Sequence, residues 1–309
     1  MGQSTTTTSA PAQRPKVNNS GAPPFMVLSD GSPTSKTTPV APIDSTATPA
    51  ERAKLRFAVR GNAIVTGGAG DIGSVSCRAL LEHGLQGLAI FDIHPHEGQR
   101  TVENLQVEFP KATITFTQVN VTDAESVAEA IAKAEALFGT IDLALCFAGI
   151  TQAIHALDLS PQDWRRMFEV NTTGAFLVAQ SVARSMANKG NGGSIILMSS
   201  ISGHVANFPQ PQVHYNASKA ALISAKSSLA AEWARYGIRV NSISPGYMDT
   251  ILNEGDVLEE HRRAWVTRIP YGRMGQPEEL TGAVVLLASQ AGYYITGADI
   301  LVDGGLTIF

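Results

Sequence analysis

Two side chains four positions apart, Tyr215 and Lys219, could carry acid–base chemistry. Both fall within a long helical pattern, so they project from the same face of a helix. A tyrosine has an unperturbed pKa near ~10 and is a poor proton carrier at neutral pH, but a neighbouring ammonium favours the phenolate. Because this spacing is also common by chance, an ordinary surface pair is the alternative to a proton-transfer pair.

A second candidate group follows an apolar run upstream of this pair. The run Ser194–Met198 predicts a buried strand, and Ser199 and Ser200 come directly after it. Open α/β sheets bind ligands at the carboxyl ends of their strands. We therefore expect a serine hydroxyl there to hold a substrate oxygen.

A glycine-rich turn between a strand and a helix predicts a phosphate site. The segment Thr66–Gly73 follows the first apolar run and leads into a helical pattern. Such turns bring backbone N–H groups to a pyrophosphate at a helix amino end. Asp92, 19 residues after Gly73 and at the end of the second predicted strand, could bind ribose hydroxyls. A turn that only reverses the chain is the alternative.

Asp92 also favours NAD over NADP. A carboxylate at the ribose would repel the extra phosphate of NADP, and no Arg or Lys occurs among the next four residues to offset that repulsion. The predicted cofactor is NAD.

The elements that position these groups are indicated by short apolar runs that alternate with helical patterns. This is the sequence form of repeated βαβ units, so we predict an α/β fold: a single Rossmann-type, doubly wound domain with a seven-stranded parallel sheet between helical layers. Helix starts are predicted at Ser160, Asp123 and Gln276. The seven predicted strands are at 63–65, 88–91, 114–116, 143–145, 194–198, 240–243 and 300–302.

The first part of the chain has a different composition. Residues 1–50 contain 8 of the 16 prolines and 16 Ser or Thr, with few large apolar side chains. Such a segment buries too little surface to offset its ordering entropy. We predict a flexible, low-complexity tail over residues 1–54 and a catalytic domain over residues 55–309.

Charge and cysteine content limit the partners. The formal net charge is −4, with 23 basic and 27 acidic residues, which favours a small-molecule partner over nucleic acid or an anionic membrane. No apolar run reaches the ~18 residues of a membrane span. The only cysteines are Cys77 and Cys146, too few for a disulfide framework or a multi-cysteine zinc site. We expect no metal and a reducing, cytoplasmic location.

Several motifs in order give the chain a resemblance to the short-chain dehydrogenase/reductase family, from about residue 60 to the end. The segments that carry the resemblance are Thr66–Gly73, Asn171–Gly174, Ser199–Ser200, Tyr215–Lys219, Pro245–Thr250 and Gly297–Gly305.

The resemblance implies a catalytic tetrad. Tyr215 would be the general acid or base, and Lys219 would lower its pKa and bind the nicotinamide ribose. Ser200 would orient the substrate oxygen. Asn171 would hold a water that links Lys219 to solvent, or would be a helix-interior amide bonded to backbone. The implied cofactor-binding residues are Gly67, Gly70, Asp71, Ile72, Gly73, Asp92, Asn120, Val121, Ala148, Gly149, Tyr215, Lys219, Pro245, Gly246 and Thr250.

Two positions depart from the family pattern. Asp71 stands where a glycine is usual, and a carboxylate beside a pyrophosphate is unfavourable unless it points away or caps the helix. Phe147 stands where an asparagine is common, and it cannot make the amide's hydrogen bonds. Neither change touches the tetrad.

Within the family, the chain looks most like fungal polyol dehydrogenases, which interconvert sugar alcohols and ketoses such as the arabinitol, mannitol and sorbose pairs. Residues 251–270 would form a substrate lid. The expected substrate-binding residues are Gln152, Ser200, Ser202, Tyr215 and Tyr247.

Other functions and the assembly stay open at this point. A reductase of steroids or 3-oxoacyl thioesters is one alternative, and a non-catalytic NAD-binding regulator is another. Relatives of this type form dimers or tetramers, so we expect a homo-oligomer. The apolar residues Leu222, Leu229 and Trp233 on the helix of Tyr215 are compatible with a subunit contact.

Overall fold

Seven parallel strands form one sheet in the order β3-β2-β1-β4-β5-β6-β7. The computed structural model describes residues 24–253, 255 and 258–309. The chain runs outward from β1 in one direction and returns to continue from β4 in the other, which confirms the doubly wound α/β prediction. The strands are β1 Asn62–Thr66, β2 Gly87–Asp92, β3 Thr113–Gln118, β4 Leu143–Cys146, β5 Gly193–Met198, β6 Ile238–Pro245 and β7 Asp299–Val302.

Helices cover both faces of the sheet. Two of the predicted helix starts have their caps: Ser160 Oγ accepts a hydrogen bond from the N–H of Asp163 at 3.0 Å, and Asp123 accepts from the N–H of Glu125 at 2.9 Å. Gln276 instead begins a 3-10 turn, Pro277–Leu280, that leads into the next α-helix. The helices are α1 Pro49–Arg56, α2 Asp71–Glu82, α3 Pro95–Glu108, α4 Ala124–Phe138, α5 Pro161–Phe168, α6 Ala175–Lys189, α7 Val213–Trp233, α8 Glu259–Val266 and α9 Thr281–Ala288.

Two apolar layers hold the sheet, one with α2, α3 and α9 and the other with α4, α6 and α7. Leu222 and Leu229 are 2% and 7% exposed and pack in the second layer, where Trp233 also packs. Leu222 and Leu229 are therefore core residues and Trp233 is partly buried, so the compatibility of these side chains with a subunit contact is not supported by their exposure, and the homo-oligomer itself stays a prediction. The side of α7 that carries them faces the core of its own chain.

The segment before the sheet contains regular structure that its composition did not suggest. Helix α1 begins at a Thr48–Glu51 capping box and crosses the predicted boundary at residue 54. Upstream, Lys36 Nζ donates to the carbonyl of Gly190 at 2.8 Å. Residues 1–23 of the predicted tail lie outside the described residues, and the division at residue 54 stays a prediction.

Neither a membrane-crossing helix nor a metal cluster is found in the described part of the chain. None of the helices there is both long enough and apolar enough to cross a bilayer. In the same residues, no three His, Cys, Asp or Glu side chains are grouped so as to hold a metal ion.

Candidate functional site

The turn between β1 and α2 is fixed by backbone contacts at two glycines. Gly67 has φ +68°, and a Cβ there would lie 2.8 Å from the amide nitrogen of Ala148. A Cβ on Gly73 would lie 2.1 Å from the Gly67 carbonyl oxygen, so a side chain is excluded there as well. A Cβ on Gly70 would meet only an ordinary contact at 3.5 Å. Two of the three predicted glycines are thus required by the shape of the turn.

Asp92, the last residue of β2, lies against this turn. Its carboxylate accepts hydrogen bonds from the N–H of Ala69 at 3.1 Å and of His94 at 3.2 Å. A negative charge is therefore held at a defined place beside the phosphate turn. This is the position that the sequence predicted for a ribose-binding acid.

Asp71 does not cap its own helix. It is the first residue of α2, and its carboxylate accepts a hydrogen bond from the N–H of Ile251 at 2.8 Å. The adjacent Thr250 is 7% exposed. The departure at Asp71 thus joins the phosphate turn to the segment after β6.

Thr66 makes hydrogen bonds at the position where Phe147 stands in place of the usual asparagine. The Thr66 hydroxyl accepts from the N–H groups of Phe147 and Ala148, at 3.0 and 3.2 Å, and so ties β1 to the end of β4. The Phe147 ring packs on the apolar layer that contains α2. The Thr66 hydroxyl on β1 therefore links the two neighbouring strands at the position of Phe147.

The predicted catalytic residues come from three elements that meet at the carboxyl end of the sheet. Ser200 follows β5, Tyr215 and Lys219 lie on α7, and Asn171 lies in a π-helical turn, Glu169–Gly174, between α5 and α6. Lys219 Nζ is 5.6 Å from the centre of the Tyr215 ring. A Cβ on Gly149 would lie 3.1 Å from Asn171 Oδ1 and 3.5 Å from Lys219 Nζ. The structure therefore brings the tetrad to one place.

Two hydrogen bonds join the end of β5 to α7. Lys219 Nζ donates to the carbonyl of Met198 at 2.8 Å, and Ser199 Oγ donates to the carbonyl of Lys219 at 2.9 Å. The ammonium, only 4% exposed, is thus held beside the tyrosine by backbone contacts. Ser199, which the resemblance left without a role, anchors the helix of the catalytic pair.

Asn171 bonds to backbone. Its Nδ2 donates to the carbonyl of Ile150 at 2.9 Å, and its Oδ1 accepts from the N–H of Ile150 at 2.8 Å. Nδ2 also lies 3.1 Å from Ser218 Oγ on α7. Asn171 therefore fixes the loop after β4 next to Lys219, and its predicted role in holding a water stays a prediction.

Burial dominates the protonation of Tyr215 and Lys219. Removal from water raises the pKa of Tyr215, and the Ser200 hydroxyl opposes this by lowering the same pKa. Burial lowers the pKa of Lys219 to about 8. Burial is thus the main influence on the Tyr215 pKa, and the lowering of this pKa by the Lys219 ammonium stays a prediction.

A network of side-chain hydrogen bonds lines the wall beside Tyr215. The Tyr247 hydroxyl accepts from Asn207 Nδ2 at 2.9 Å and from Gln210 Nε2 at 3.1 Å. Gln210 Oε1 in turn accepts from the indole N–H of Trp265 at 2.8 Å, and the Trp265 and Tyr247 rings stack at 4.4 Å. We call these four residues the Tyr247 wall.

Ser202 belongs to a smaller cluster next to that wall. Its hydroxyl lies 3.1 Å from Ser200 Oγ and 3.3 Å from Gln212 Nε2. Gln210 and Gln212 were missed as site residues by the sequence reasoning. Their signal was the alternation of glutamine with proline directly before α7.

Several of the remaining predicted site residues have defined contacts within the protein. Gly246 packs closely on Asp303, since a Cβ there would lie 2.8 Å from the Asp303 Cα. Val121 is 8% exposed and packs against Gly174, so it is mainly a core residue. Asn120 bonds to Thr122, and Gln152 is exposed on the loop after β4. Their contacts with cofactor or substrate stay predictions.

Comparison with known proteins agrees with this geometry. The chain matches, over residues 67–307, the family profile described as Enoyl-(Acyl carrier protein) reductase. It belongs to the short-chain dehydrogenase/reductase family. The class of protein that the fold and the tetrad define is therefore an oxidoreductase of this family.

Particular relatives lie among polyol enzymes. The chain is 38% identical to a D-arabinitol 2-dehydrogenase [ribulose-forming] of Scheffersomyces stipitis, over 79% of this chain and 92% of that protein. It is 36% identical to an NADP-dependent mannitol dehydrogenase of Hypocrea jecorina, over 81% and 94%. A solved short-chain type dehydrogenase/reductase from Mycobacterium marinum superposes with TM-score 0.78 at 38% identity, over 82% and 98%.

Proposed function

We propose that this protein transfers hydride between a sugar alcohol and its ketose. The observation that carries the proposal is the Tyr247 wall beside the catalytic tyrosine, together with the hydroxyls of Ser200 and Ser202. A wall rich in amide and hydroxyl groups suits a substrate that carries many hydroxyls. The names of the relatives, which include arabinitol and mannitol dehydrogenases, support the same substrate class.

The residues at the crevice fit a nicotinamide dinucleotide. The backbone turn at Gly67 and Gly73 leaves no room for side chains, Asp92 is held beside it, and the Lys219 ammonium keeps N–H donors besides the one bonded to Met198. Turn, acid and ammonium would hold the pyrophosphate, the adenosine ribose and the nicotinamide ribose. The cofactor would supply or accept the hydride.

The protein's own part of the reaction is proton transfer and orientation. In reduction, the Tyr215 hydroxyl donates its proton to the carbonyl oxygen as that oxygen becomes a hydroxyl. In oxidation, the Tyr215 phenolate removes the proton of the alcohol. Ser200 hydrogen-bonds the same oxygen and keeps it next to the tyrosine, while the Lys219 ammonium favours the phenolate.

We propose NAD as the preferred cofactor. The support is the Asp92 carboxylate, which two backbone N–H groups hold in place. A fixed negative charge at this site would repel the additional phosphate of NADP. Family membership alone does not decide the matter, because the mannitol dehydrogenase of Hypocrea jecorina is NADP-dependent.

A homo-oligomer and a cytoplasmic location complete the proposal. Apolar side chains that could form a subunit contact are Trp164, Phe176 and Val213, which are 38–45% exposed on α5, α6 and the start of α7. Light scattering of the purified protein tests the assembly: a dimer or tetramer would support the proposal, and a monomer would contradict it. The two cysteines are buried and unpaired, which suits a reducing compartment.

A kinetic panel tests the proposal. Pentitols, hexitols and ketoses would be assayed with NAD(H) and NADP(H) side by side, with a steroid ketone and a 3-oxoacyl thioester as the other ketone classes. We expect turnover of at least one polyol–ketose pair, at higher efficiency with NAD(H). Efficient turnover of only the steroid or the thioester would contradict the substrate class, and dinucleotide binding without any turnover would favour the non-catalytic regulator.

A further inference from the structure

Asp71 places a negative charge at the helix end that binds phosphate. The partial positive charge at the amino end of an α-helix attracts anions. The residue before α2, Gly70, has no side chain to cap the helix, and Asp71 is the acidic residue within its first turn. A dinucleotide brings its pyrophosphate to this same end. Two anions would then share one site.

The same carboxylate also contacts a segment that is distant in the sequence. Its Oδ2 atom lies 2.8 Å from the backbone nitrogen of Ile251, which is 180 positions later in the chain. Ile251 follows Thr250, a predicted cofactor-binding residue, and the N–H of Asn253 bonds back to the Thr250 carbonyl at 2.8 Å. Asp71 thus satisfies the first N–H of this short turn from across the crevice.

We propose that Asp71 is an internal competitor of the cofactor's pyrophosphate. The carboxylate holds the segment Thr250–Asn253 against the phosphate turn, and a bound dinucleotide would have to compete with this contact and tolerate the charge. The inference rests on the proposed function, since it requires that the crevice bind a dinucleotide. The inference predicts that Asp71 lowers the affinity of the protein for the cofactor and speeds cofactor release. A glycine at this position would carry no charge and would only let the backbone approach the pyrophosphate.

Two substitutions separate charge from contact. Asp71→Asn keeps an oxygen that can accept from the Ile251 N–H but removes the charge. Asp71→Gly removes both. Glu82→Gln, an exposed acid at the other end of α2, is the matched control because it removes the same charge away from the phosphate turn.

Equilibrium binding of NADH and of ADP-ribose to the full chain is the first readout. ADP-ribose carries the pyrophosphate without the nicotinamide, so both probes should respond alike. We expect about fivefold tighter binding for Asp71→Asn and at least that for Asp71→Gly, with Glu82→Gln unchanged. Equal or weaker binding by both Asp71 variants would overturn the inference.

Amide hydrogen exchange of the Ile251 N–H in the cofactor-free protein is the second readout. We expect faster exchange in Asp71→Gly than in the parent, with Asp71→Asn between them. Unchanged exchange in Asp71→Gly would also overturn the inference, because the contact would then not hold the segment. If neither the parent nor any variant binds NADH or ADP-ribose, the proposed function fails, and the inference fails with it.

Discussion

The phosphate turn and the Tyr247 wall are held by different kinds of contact. In the phosphate turn, Gly67 and Gly73 are required because backbone atoms would occupy the space of any side chain. In the Tyr247 wall, the positions are set by side-chain hydrogen bonds between residues 37 to 55 positions apart. Backbone geometry therefore fixes the turn, for which we propose cofactor binding, and side-chain chemistry fixes the wall, for which we propose substrate binding.

This difference matches the different demands on the two regions. Within one cofactor-binding fold the same turn can serve many reactions, whereas the substrate wall must change when the substrate changes. We expect substitutions in the turn to alter cofactor affinity and substitutions in the wall to alter substrate affinity. The catalytic pair lies between the two regions and should alter the rate itself.

Removal of the Tyr215 hydroxyl should have the largest effect. Tyr215→Phe keeps the ring and loses the proton carrier, so we expect kcat to fall about 1,000-fold while the binding of NADH stays within about twofold. Steady-state kinetics and NADH titration measure both. Tyr294→Phe, at a fully exposed tyrosine, is the control. Near-normal turnover by folded Tyr215→Phe would remove the tyrosine from the mechanism.

Lys219→Met should lower activity and raise stability. We expect kcat to fall about 100-fold, because the ammonium no longer favours the phenolate. The control is Lys226→Met, since Lys226 is also buried on α7 and bonds to the Gly297 carbonyl at 2.7 Å, away from the tetrad. Its activity should stay close to that of the parent. Equal losses in both variants would assign Lys219 a structural role.

The stability of Lys219→Met should depend on pH in a defined direction. Burial lowers the pKa of Lys219 to about 8, below that of the unfolded chain, so the charged form destabilises the fold at and below pH 8. This cost disappears as the pH rises from about 8 towards ~10.4, where the unfolded lysine also loses its proton. We expect the variant to be more stable by about 1 kcal/mol at pH 7, after loss of the Met198 hydrogen bond, and to lose this advantage near pH 10. Urea unfolding at both pH values measures this, and an advantage that grows with pH would contradict the stated direction.

A pair of glycine substitutions should distinguish the backbone contacts of the turn. Gly73→Ala places a methyl group where the Gly67 carbonyl lies, so we expect NADH binding at least about tenfold weaker and stability about 1–3 kcal/mol lower. Gly70→Ala meets only an ordinary contact and should leave NADH binding within about twofold. Calorimetry and NADH titration check both variants. Similar losses of NADH binding at the two positions would contradict the proposed difference between the turn and the wall.

Tyr247→Phe should give a smaller effect, confined to the substrate. The change leaves the amide groups of Asn207 and Gln210 without their acceptor, so we expect KM for the polyol to rise about tenfold. KM for the cofactor should stay within about twofold. Tyr271→Phe, at an exposed tyrosine, is the matched control. A change in cofactor KM equal to that in polyol KM would show that the wall is not specific to the substrate.

Local patterns were sufficient to predict much of the fold. Each of the seven apolar runs became a strand, because buried parallel strands are apolar on both faces. The caps at Ser160 and Asp123 followed from interactions within three residues. The turn was also readable, although which glycines it requires depends on contacts with Gly67 and Ala148 that only the folded chain brings close.

The rest depended on contacts between distant segments. Nothing near Gln210 in the sequence indicates that it joins Tyr247 to Trp265, and nothing near Asp71 indicates its contact with Ile251. The direction of Leu222 and Leu229 on α7 could not be predicted either, since the helix is apolar on more than one side and only the sheet determines which side is buried.

Hydride tracing tests the central claim most directly. The protein would be incubated with NAD and a pentitol or hexitol that it turns over, deuterated at the carbon to be oxidised. We predict one deuterium in the reduced cofactor by mass spectrometry for the parent, and about 1,000-fold slower labelling for Tyr215→Phe. Ketose formation without deuterium in the cofactor, or equal labelling rates in the parent and Tyr215→Phe, would contradict hydride transfer coupled to a proton carried by Tyr215.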